Sequence, residues 1–532
     1  MPDNPERPRL TWRERETRRP RAVVLDPDSV ATDSKPAPTI YEPDVLLQIP
    51  AATAERAVNA PTLEAVAATL GWMVTEEPLE PEPRRGGTRT PRGLDPAEEP
   101  RISGAAVTRR MRISVAPGVA VDKASLRPDA WRLLVEARRA SVPGLGLNHV
   151  MSIDSVTTNP FKMNPFKMNP FKMNPFKMNP SGMDGYAYPG MGGRQPVSFI
   201  GADPVPSTLA EADRPVVAIF DTGCGSHPWL DAVVIDPVEE YQTTLGLVDG
   251  ASDPEAFPSL GDPLDGTVDT AAGHGTFIAG IVLQACPDVR ILPIRVSDGD
   301  GVILESDLIA ALGRLVELIE HKKARIDVIN LSLSYYHETP ETQTVDSELY
   351  TLLARARKQG TVIVCSAGND ATDRPAAPAS LRFWKNADGS TSPDCGLTKA
   401  EEAGLAPQVV VGALNPSRRS VALFSNVGDW VDTYVLGVSV LSTVPIIFEG
   451  GIQAELRRDE YGHRRETLDL DDFQAGFAVW SGTSFAAPLV AGRIAAERVP
   501  TASAKVAAVR PIATIVDDVI TACDEEDRSL NE

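Results

Sequence analysis

The segment "WSGTSFAAPLVAG", which covers residues 480–492, restricts the fold more than any other stretch of the sequence. Small polar residues precede an apolar run of helix-forming residues, and this pattern predicts a helix that begins near Ser484. A serine before an apolar helix is most often an N-cap residue. The alternative is a nucleophile, because backbone N–H groups at a helix start stabilise developing negative charge. The segment alone leaves both interpretations open.

Short apolar runs rich in valine and isoleucine lie upstream of this segment, and helical stretches separate several of them. The runs are "PVVAIFD" (215–221), "VRILPIRV" (289–296), "IDVINLSLS" (326–334), "TVIVCSAGN" (361–369) and "QVVVGAL" (408–414). Continuous apolar strands that alternate with helices indicate an α/β fold with a parallel sheet covered on both faces. In such sheets the functional groups lie at the carboxyl ends of the strands.

Four chemically useful side chains occur at strand ends or helix starts. Asp221 ends "VVAIFD", His274 lies between glycines in "GHGT", Asn369 ends "VCSAGN", and Ser484 begins the last helix. Taken singly, they are typical of turn formers and caps. Together they supply a hydroxyl nucleophile, a base, a carboxylate that orients the base, and an oxyanion donor, which are the groups that acyl transfer needs.

These motifs resemble those of the subtilisin-like serine proteases, the subtilases. The matching stretches are "DTG" at Asp221, "GHGT" at His274, "SAGN" at Asn369 and "GTSFAAP" at Ser484, in the family's Asp, His, Ser chain order. The resemblance covers about residues 213–497. It implies a three-layer catalytic domain, placed here at 196–500, and a serine endopeptidase that requires no cofactor.

The same resemblance implies where the substrate binds. Ser332, Leu333 and Ser334 would pair with the substrate backbone as an added strand. Ala367 and Gly368 would line the pocket for the residue before the scissile bond. Ser334 stands where the family usually has glycine, which predicts a narrower pocket entrance. The expected partner is therefore a peptide or protein substrate.

Other functions are compatible with parts of the sequence. "FDTG" also resembles an aspartic protease motif, but those enzymes need two aspartates that share a proton, and no second copy occurs. A related serine-carboxyl family uses Glu as base and Asp at the oxyanion hole, where this chain has His274 and Asn369. A catalytically silent peptide-binding protein is the remaining alternative, and activity that is lost in Ser484→Ala would exclude it.

The N-terminal third has a different organisation. Residues 1–39 are charged and proline-rich and are predicted to be disordered. Two strand–helix–strand patterns within 40–157 predict a small ferredoxin-like α+β domain. Four copies of "NPFKM" follow in a predicted linker, 158–195, and residues 501–532 are interpreted as an acidic tail. The subtilase resemblance implies that the small domain is a propeptide and intramolecular inhibitor. Processing is expected between about 157 and 200, with permanent attachment left open.

Composition narrows the class of partner and compartment. The 532 residues carry a formal net charge of −21, which argues against nucleic acid or an anionic membrane as the main partner. Neither a membrane span nor a signal peptide is recognised, so a cytoplasmic protein is expected, with export by another route left open. The five scattered cysteines predict neither a disulfide framework nor a zinc site.

An acidic insert at about 241–268 raises the question of a metal. It is interpreted as a solvated loop, with structural calcium as the alternative. The aspartates in and beside it are Asp249, Asp253, Asp262, Asp265 and Asp269.

Overall fold

The structure is a computed structural model of the chain. It describes residues 22–27, 36–49, 61–77, 108–118, 127–153, 186, 188–259, 267–339, 347–392, 395–499 and 510–528. The "NPFKM" repeat, together with Asp262 and Asp265, lies outside the described residues.

An α+β sandwich is formed by the two N-terminal strand–helix–strand units. Its elements are β1 (Val23–Leu25), β2 (Thr39–Gln48), α1 (Leu63–Thr69), β3 (Trp72–Glu77), β4 (Arg109–Val115), α2 (Ala130–Arg139) and β5 (Leu145–Ile153). The strands are antiparallel in the order β5-β2-β4-β3, which is the ferredoxin-like order. The two helices contact each other and enclose an apolar core with the sheet.

Side-chain caps define where both helices of this domain begin. Thr62 Oγ1 accepts the N–H of Ala65 at 3.3 Å, and Asp129 Oδ1 accepts the N–H of Arg132 at 2.8 Å. These contacts satisfy donors that the first helical turn leaves unpaired. Tyr41 donates its hydroxyl to the other Asp129 oxygen at 2.8 Å, which joins the start of α2 to β2.

The predicted disordered segment 1–39 needs a correction. β1 pairs antiparallel with the start of β2, with Val23 opposite Tyr41 and Leu25 opposite Thr39. Leu25 is buried in the core of the small domain. Three apolar residues in a charged, proline-rich context are too few to predict a strand, because their stabilisation comes from pairing with a distant partner.

The second unit is built on a parallel sheet. Its strands are β7 (Val216–Asp221), β8 (Arg290–Arg295), β10 (Val328–Leu331), β12 (Val362–Ser366), β13 (Gln408–Leu414) and β14 (Thr433–Leu436). They pair in parallel in the order β14-β13-β12-β10-β7-β8. Helices on one face are α4 (His274–Ala285) and α7 (Thr483–Glu497), and on the other α5 (Glu305–Glu320) and α6 (Glu348–Lys358).

Both faces of this sheet are apolar, which explains the unbroken valine and isoleucine runs. In β7, Val217 and Ile219 belong to the core with α4 and α7, whereas Ala218 and Phe220 belong to the core with α5 and α6. Successive residues of a strand point to opposite faces, so each must be apolar when helices cover both. The three-layer α/β architecture predicted from the sequence is thereby confirmed.

Smaller elements complete this second unit, which contains the four predicted site residues and is called the catalytic unit. They are β6 (Gln195–Pro196), α3 (Pro237–Tyr241), β9 (Val302–Leu304), β11 (Leu333–Ser334), β15 (Val440–Thr443), β16 (Arg457–Glu460), β17 (His463–Glu466), β18 (Phe477–Trp480) and α8 (Ile512–Arg528). β6 pairs with β18 and β18 with β15, while β16 and β17 form a hairpin. None of the helices in the described ranges is long and apolar enough to cross a bilayer.

The predicted acidic tail also needs a correction. Residues within it form α8, which packs against α7 and β14. Val516, Val519 and Cys523 are buried in the core that α4 and α7 share. The acidic residues cluster near the end of the chain, whereas the apolar residues that face the core are spaced along the helix and give a weaker signal in the sequence.

The two units are joined by strand addition. β5 of the small domain lies between β9 and β11 of the catalytic unit and pairs antiparallel with both. Ser152 is opposite Val302 on one side and Ser334 on the other, while Met151 is opposite Ile303 and Ile153 is opposite Leu333. Met151 and Ile153 belong to the core of the catalytic unit. The interface is therefore continuous in both hydrogen bonding and apolar packing.

Candidate active site

Three of the predicted site residues meet at the carboxyl end of the parallel sheet. Asp221 is the last residue of β7, His274 the first of α4, and Ser484 the second of α7. His274 Nδ1 lies 2.8 and 2.9 Å from the two Asp221 carboxylate oxygens. The carboxylate thus accepts the Nδ1 proton and leaves Nε2 as the unprotonated, basic nitrogen.

Glycines allow this close approach. A Cβ at Gly275 would lie 2.1 Å from the carbonyl oxygen of Gly223, so the start of α4 can approach the end of β7 only without a side chain. Gly273, which precedes His274, has φ of 81°, a left-handed conformation that favours glycine. The glycines around the histidine therefore set its distance from Asp221.

Ser484 and His274 are both buried, at 0% exposure. Ser484 Oγ donates to the carbonyl of Ser332 at 3.5 Å, and Ser332 Oγ donates to the carbonyl of Ser484 at 3.0 Å. Within the described part of the chain, His274 Nε2 has no hydrogen-bond partner. Phe485 and Trp480 pack on the imidazole at ring-centroid distances of 5.0 and 5.5 Å. The basic nitrogen is thus buried, on a ring that packs against Phe485, the residue that follows Ser484.

Asn369 follows β12 and is oriented by the start of α7. Its Oδ1 accepts the backbone N–H of Thr483 at 3.0 Å and the Thr483 hydroxyl at 2.8 Å. With Oδ1 engaged as an acceptor, the other end of the amide is the Nδ2 donor. The carboxamide is therefore fixed beside the helix start that carries Ser484.

The residues predicted to bind substrate lie next to Ser484. Ser332, Leu333, Ser334 and Ala367 are all buried. Leu333 and Ser334 form β11, whose edge is paired with β5. Gly368 has φ of 102°, and a Cβ there would come within 2.4 Å of Asn426 Nδ2 and 3.5 Å of Ser334 Oγ. The segment after β12 and the strand β11 thus lie side by side.

A buried carboxyl behind Asp221 was missed by the sequence analysis. Glu255 is 2% exposed and accepts hydrogen bonds from the hydroxyls of Thr222 and, at 2.6 Å, Thr276. The Thr222 backbone N–H donates to Asp221 Oδ1 at 2.8 Å, and the N–H of Gly275 donates to Thr222 Oγ1 at 2.8 Å. Glu255 therefore links the segment that carries Asp221 to the segment that carries His274. Burial raises its pKa to about 7.

Replacing Glu255 with glutamine should change how stability depends on pH. Its folded-state pKa of about 7 exceeds the ordinary value of 4.5. Between those values the folded chain retains a proton that the unfolded chain loses, so the free energy of unfolding falls as pH rises. The loss reaches roughly 3 kcal/mol at about 1.36 kcal/mol per pKa unit.

Glutamine resembles the protonated acid, so E255Q should match the parent near pH 4.5 and exceed it in stability at pH 8. Urea unfolding in a Ser484→Ala background, which avoids autolysis, measures this difference. The exposed Glu466→Gln change serves as the control. A stability difference between E255Q and the parent that does not vary with pH would contradict the prediction.

A second missed residue is Arg194, which lies in the predicted linker. Its guanidinium donates to the carbonyls of Ala272 at 2.6 Å, Val268 at 3.0 Å and Asp269 at 2.9 Å, just before His274. It also stacks on Trp480 at 4.8 Å. Burial lowers the pKa of this guanidinium to about 10, so it remains charged at neutral pH.

The linker boundary at 195 is therefore corrected. Besides Arg194, Gly192 accepts a hydrogen bond from the Ser481 hydroxyl, and the Tyr186 hydroxyl donates to Asn415 at 2.9 Å. Residues 186 and 192–196 consequently pack on the catalytic unit. The glycine-rich sequence of this segment is typical of a linker. It does not reveal the contacts, because these depend on an isolated tyrosine and an isolated arginine.

Arg194→Ala should destabilise the segment that carries His274. Removal of the guanidinium leaves three carbonyls without their hydrogen-bond donor. Each buried carbonyl that stays unsatisfied costs about 1–3 kcal/mol. We expect a loss of at least ~3 kcal/mol in the free energy of unfolding, measured by urea denaturation in the Ser484→Ala background. Arg458→Ala, in an exposed hairpin, is the matched control. Equal midpoints for the two variants would show that Arg194 is dispensable.

The aspartates of the acidic insert do not converge where they are described. Asp249 Oδ1 accepts the N–H of Ala251, and Asp253 Oδ1 accepts that of Glu255. Among the described residues, the one group of three or more His, Cys, Asp or Glu side chains close enough to share a metal is His149, His337 and Glu338. Asp249 and Asp253 therefore act as turn and helix caps.

Comparison with known proteins assigns this chain to a family. Residues 212–512, more than half of the 532-residue chain, match the sequence profile of the Subtilase family. The chain belongs to the subtilase family. The resemblance inferred from four short motifs is thereby confirmed, and the match extends beyond the predicted boundary at 500.

Among its relatives is a thermophilic serine proteinase of Bacillus sp. (strain AK1), 28% identical over 52% of this chain and 50% of that protein. An intracellular serine protease of Paenibacillus polymyxa is 26% identical over 52% of this chain and 65% of its own length. A crystal structure of a lanthipeptide protease aligns with a TM-score of 0.38 at 22% identity, covering 57% of this chain and 78% of that one. This subtilase spans between one half and two thirds of the length of each of the two bacterial proteases.

Proposed function

We propose that this subtilase is a serine endopeptidase with Ser484 as nucleophile, His274 as general base and Asp221 as the orienting carboxylate. The observation that carries the proposal is the contact of His274 Nδ1 with both Asp221 oxygens, at 2.8 and 2.9 Å, while Nε2 has no partner in the described part of the chain. Asp221 contacts a histidine here, which supports serine over aspartic protease chemistry.

In the proposed reaction, Ser484 Oγ turns from the Ser332 carbonyl to His274 Nε2 and attacks the substrate carbonyl. Nε2 takes the hydroxyl proton and then gives it to the leaving amine, which forms an acyl-enzyme. Water repeats the sequence and releases the acid. Asp221 stays ionised and stabilises the imidazolium that forms in each half-reaction. The reaction uses only these side chains and needs no cofactor.

The oxyanion is assigned to Asn369 and to the backbone N–H of Ser484. Asn369 is held with Oδ1 on Thr483, which supports Nδ2 as the donor toward the site. The start of α7 adds its own N–H groups. Such donors stabilise the charge only as it develops, which is why they increase turnover.

Asn369→Ala should therefore lower turnover by about 10²–10³ with little change in KM. Asn369→Asp is a useful partner variant, because it retains the acceptor for Thr483 and removes the Nδ2 donor. Steady-state kinetics on a fluorogenic peptide separates kcat from KM. An effect confined to KM would assign Asn369 to substrate binding instead.

A substrate is proposed to bind as β5 binds now, between β9 and β11. β5 lies in this groove as an extended backbone, and the N–H of Ile153 donates to the carbonyl of Gly301 at 3.0 Å. Antiparallel pairing directs the chain along β11 toward Ser332 and Ser484. Ala367 and Gly368 then adjoin the residue before the scissile bond, and Ser334 narrows the groove.

The N-terminal domain is proposed to be an intramolecular inhibitor, because β5 occupies the substrate groove. Leu333 faces Ile153, so one more residue of the same register would reach Ser332. Tyr186 is already packed on the catalytic unit, which supports processing between 154 and 185. Those residues lie outside the described part of the chain. A protein substrate can then bind only after it displaces the N-terminal domain or after that domain has been removed.

A cytoplasmic location is proposed because two relatives are intracellular proteases by name. Both the Paenibacillus polymyxa protein and the major intracellular serine protease of Bacillus subtilis, 26% identical over 43% of this chain, are called intracellular. Cell fractionation followed by immunoblotting distinguishes this location from export.

Labelling with a fluorophosphonate tests the proposed nucleophile directly. The phosphonyl group should attach to Ser484, with loss of fluoride, and mass spectrometry of peptides should locate it there. His274→Ala should prevent the labelling. An adduct on another serine would assign the nucleophile elsewhere, whereas no adduct in a chain freed of its N-terminal domain would favour a silent peptide-binding protein.

A further inference from the structure

A buried cluster of histidines and carboxylates lies at the junction of the two units, outside the proposed catalytic site. His149 comes from β5, Glu305 is the first residue of α5, and His337 and Glu338 follow β11. His149 and Glu338 are each 1% exposed and Glu305 is 6% exposed. Charged side chains are seldom buried at this depth unless they are paired or bind a metal.

Three ligand atoms in this cluster are close enough to share one ion. His149 Nε2 lies 2.9 Å from Glu338 Oε2, and His337 Nδ1 lies 3.4 Å from the same oxygen. The two imidazole rings are 5.0 Å apart and tilted by 43°. Tetrahedral zinc with bonds of about 2.0–2.1 Å separates its ligand atoms by about 3.3 Å. The distances therefore suit a small divalent transition metal, whereas calcium prefers six to eight oxygen ligands.

The surrounding contacts orient these ligands. Glu305 Oε2 lies 2.6 Å from His149 Nδ1, an arrangement that directs the opposite nitrogen, Nε2, toward a metal. The N–H of Thr339 donates to His337 Nδ1 at 3.1 Å, so this nitrogen carries a lone pair, and a metal ion has to replace that hydrogen bond in order to bind there. Arg138 donates to the remaining Glu338 oxygen, Oε1, at 3.0 Å. His149 and Glu338 are thus each held by a second partner through the atom that is not proposed to bind the metal.

The charge of the cluster calls for a cation. Glu305 and Glu338 contribute two negative charges, and Arg138 contributes one positive charge. The negative charge that remains favours a cation among these side chains, either a proton on His149 or a metal ion. The site therefore has a strong preference for a cation of either kind.

We propose that His149, His337 and Glu338 form a zinc site that bridges the N-terminal domain and the catalytic unit, with water as the fourth ligand. His149 belongs to one unit and the other two ligands to the second. Bound metal therefore holds β5 between β9 and β11, and its removal loosens the small domain. The site does not take part in the proposed peptidase reaction, and its test does not depend on activity.

The test is a titration of Zn²⁺ into the untagged, full-length Ser484→Ala chain in competition with a chromophoric chelator. One equivalent should bind with a Kd at or below about 1 μM. Glu305→Gln, which changes a partner of His149 and leaves all three proposed ligands in place, should weaken binding by about 10–100-fold. His149→Ala and His337→Ala should each weaken it further. His463→Ala, on the exposed hairpin, should leave the Kd unchanged.

Zinc K-edge absorption of the unsubstituted Ser484→Ala chain supports or overturns the site without any ligand variant. Two imidazole nitrogens and a carboxylate oxygen at about 2.0–2.1 Å are expected, whereas thiolate ligands at about 2.3 Å would place the zinc on cysteines. Circular dichroism verifies that each variant is folded. The proposal is overturned if no zinc binds at 10 μM, which leaves the proton as the bridging cation. It is also overturned if folded His149→Ala and His337→Ala chains retain the parent Kd.

Discussion

Ser484→Ala should reduce turnover by several orders of magnitude while the protein stays folded. Removal of the serine or histidine of such a triad costs on the order of 10⁶ in kcat, a magnitude measured in subtilisin itself, a relative of this protein. The reason is that attack by Oγ and proton transfer to His274 Nε2 form one step, so neither group compensates for the other. Hydrolysis of a fluorogenic peptide by the purified chain measures the effect, and His274→Ala should give a similar loss.

Folding of the variant can be assessed independently. Ser484 is fully buried, but its hydroxyl makes only a 3.5 Å hydrogen bond to Ser332, so the free energy of unfolding should change by no more than about 1 kcal/mol. Ser417→Ala, on an exposed turn, is the matched control and should keep full activity. Peptide hydrolysis that persists in a homogeneous S484A preparation would assign the nucleophile elsewhere.

The sequence predicts the catalytic unit well because its signals are local. Alternate residues of β7 belong to cores on opposite faces, so the strand shows as an uninterrupted apolar run. Asp221 and Asn369 follow such runs directly, and Ser484 opens an apolar helix. Fold class and candidate groups therefore depend on residues that are neighbours along the chain.

What escaped the sequence analysis depends on distant contacts. Glu255 sits in an acidic insert, and only the fold places it between Thr222 and Thr276. Arg194 lies in a glycine-rich stretch, and its function depends on carbonyls of residues 268, 269 and 272. His149 and His337 are separated by more than 180 residues, so no metal-ligand spacing is visible in the sequence.

Met151→Lys should release the groove that β5 now occupies. Met151 pairs with Ile303 and is 1% exposed in the core of the catalytic unit. The change loses about 1.5–3 kcal/mol of apolar burial and adds the cost of an unpaired buried ammonium, several kcal/mol. A total of at least ~3 kcal/mol weakens docking by about 10²-fold or more.

The initial rate of casein hydrolysis by the intact chain should therefore rise by about 10²-fold in Met151→Lys, and any lag before hydrolysis should shorten. Mass spectrometry at the first time point verifies that the chain is still uncut, so that the rate reports displacement of β5 and not its removal. The matched control is Met73→Lys, which makes the same change on β3 at a residue that is 38% exposed. It should behave as the parent does.

The two lysine variants together separate inhibition from folding. If the N-terminal domain only assists folding, M151K should give less soluble, active protein and no higher initial rate per folded chain. If instead β5 blocks the substrate groove, the gain should be specific to M151K, because Met73 lies away from β9 and β11. Equal initial rates in the parent, M73K and M151K would show that the strand addition seen here does not restrict access to Ser484.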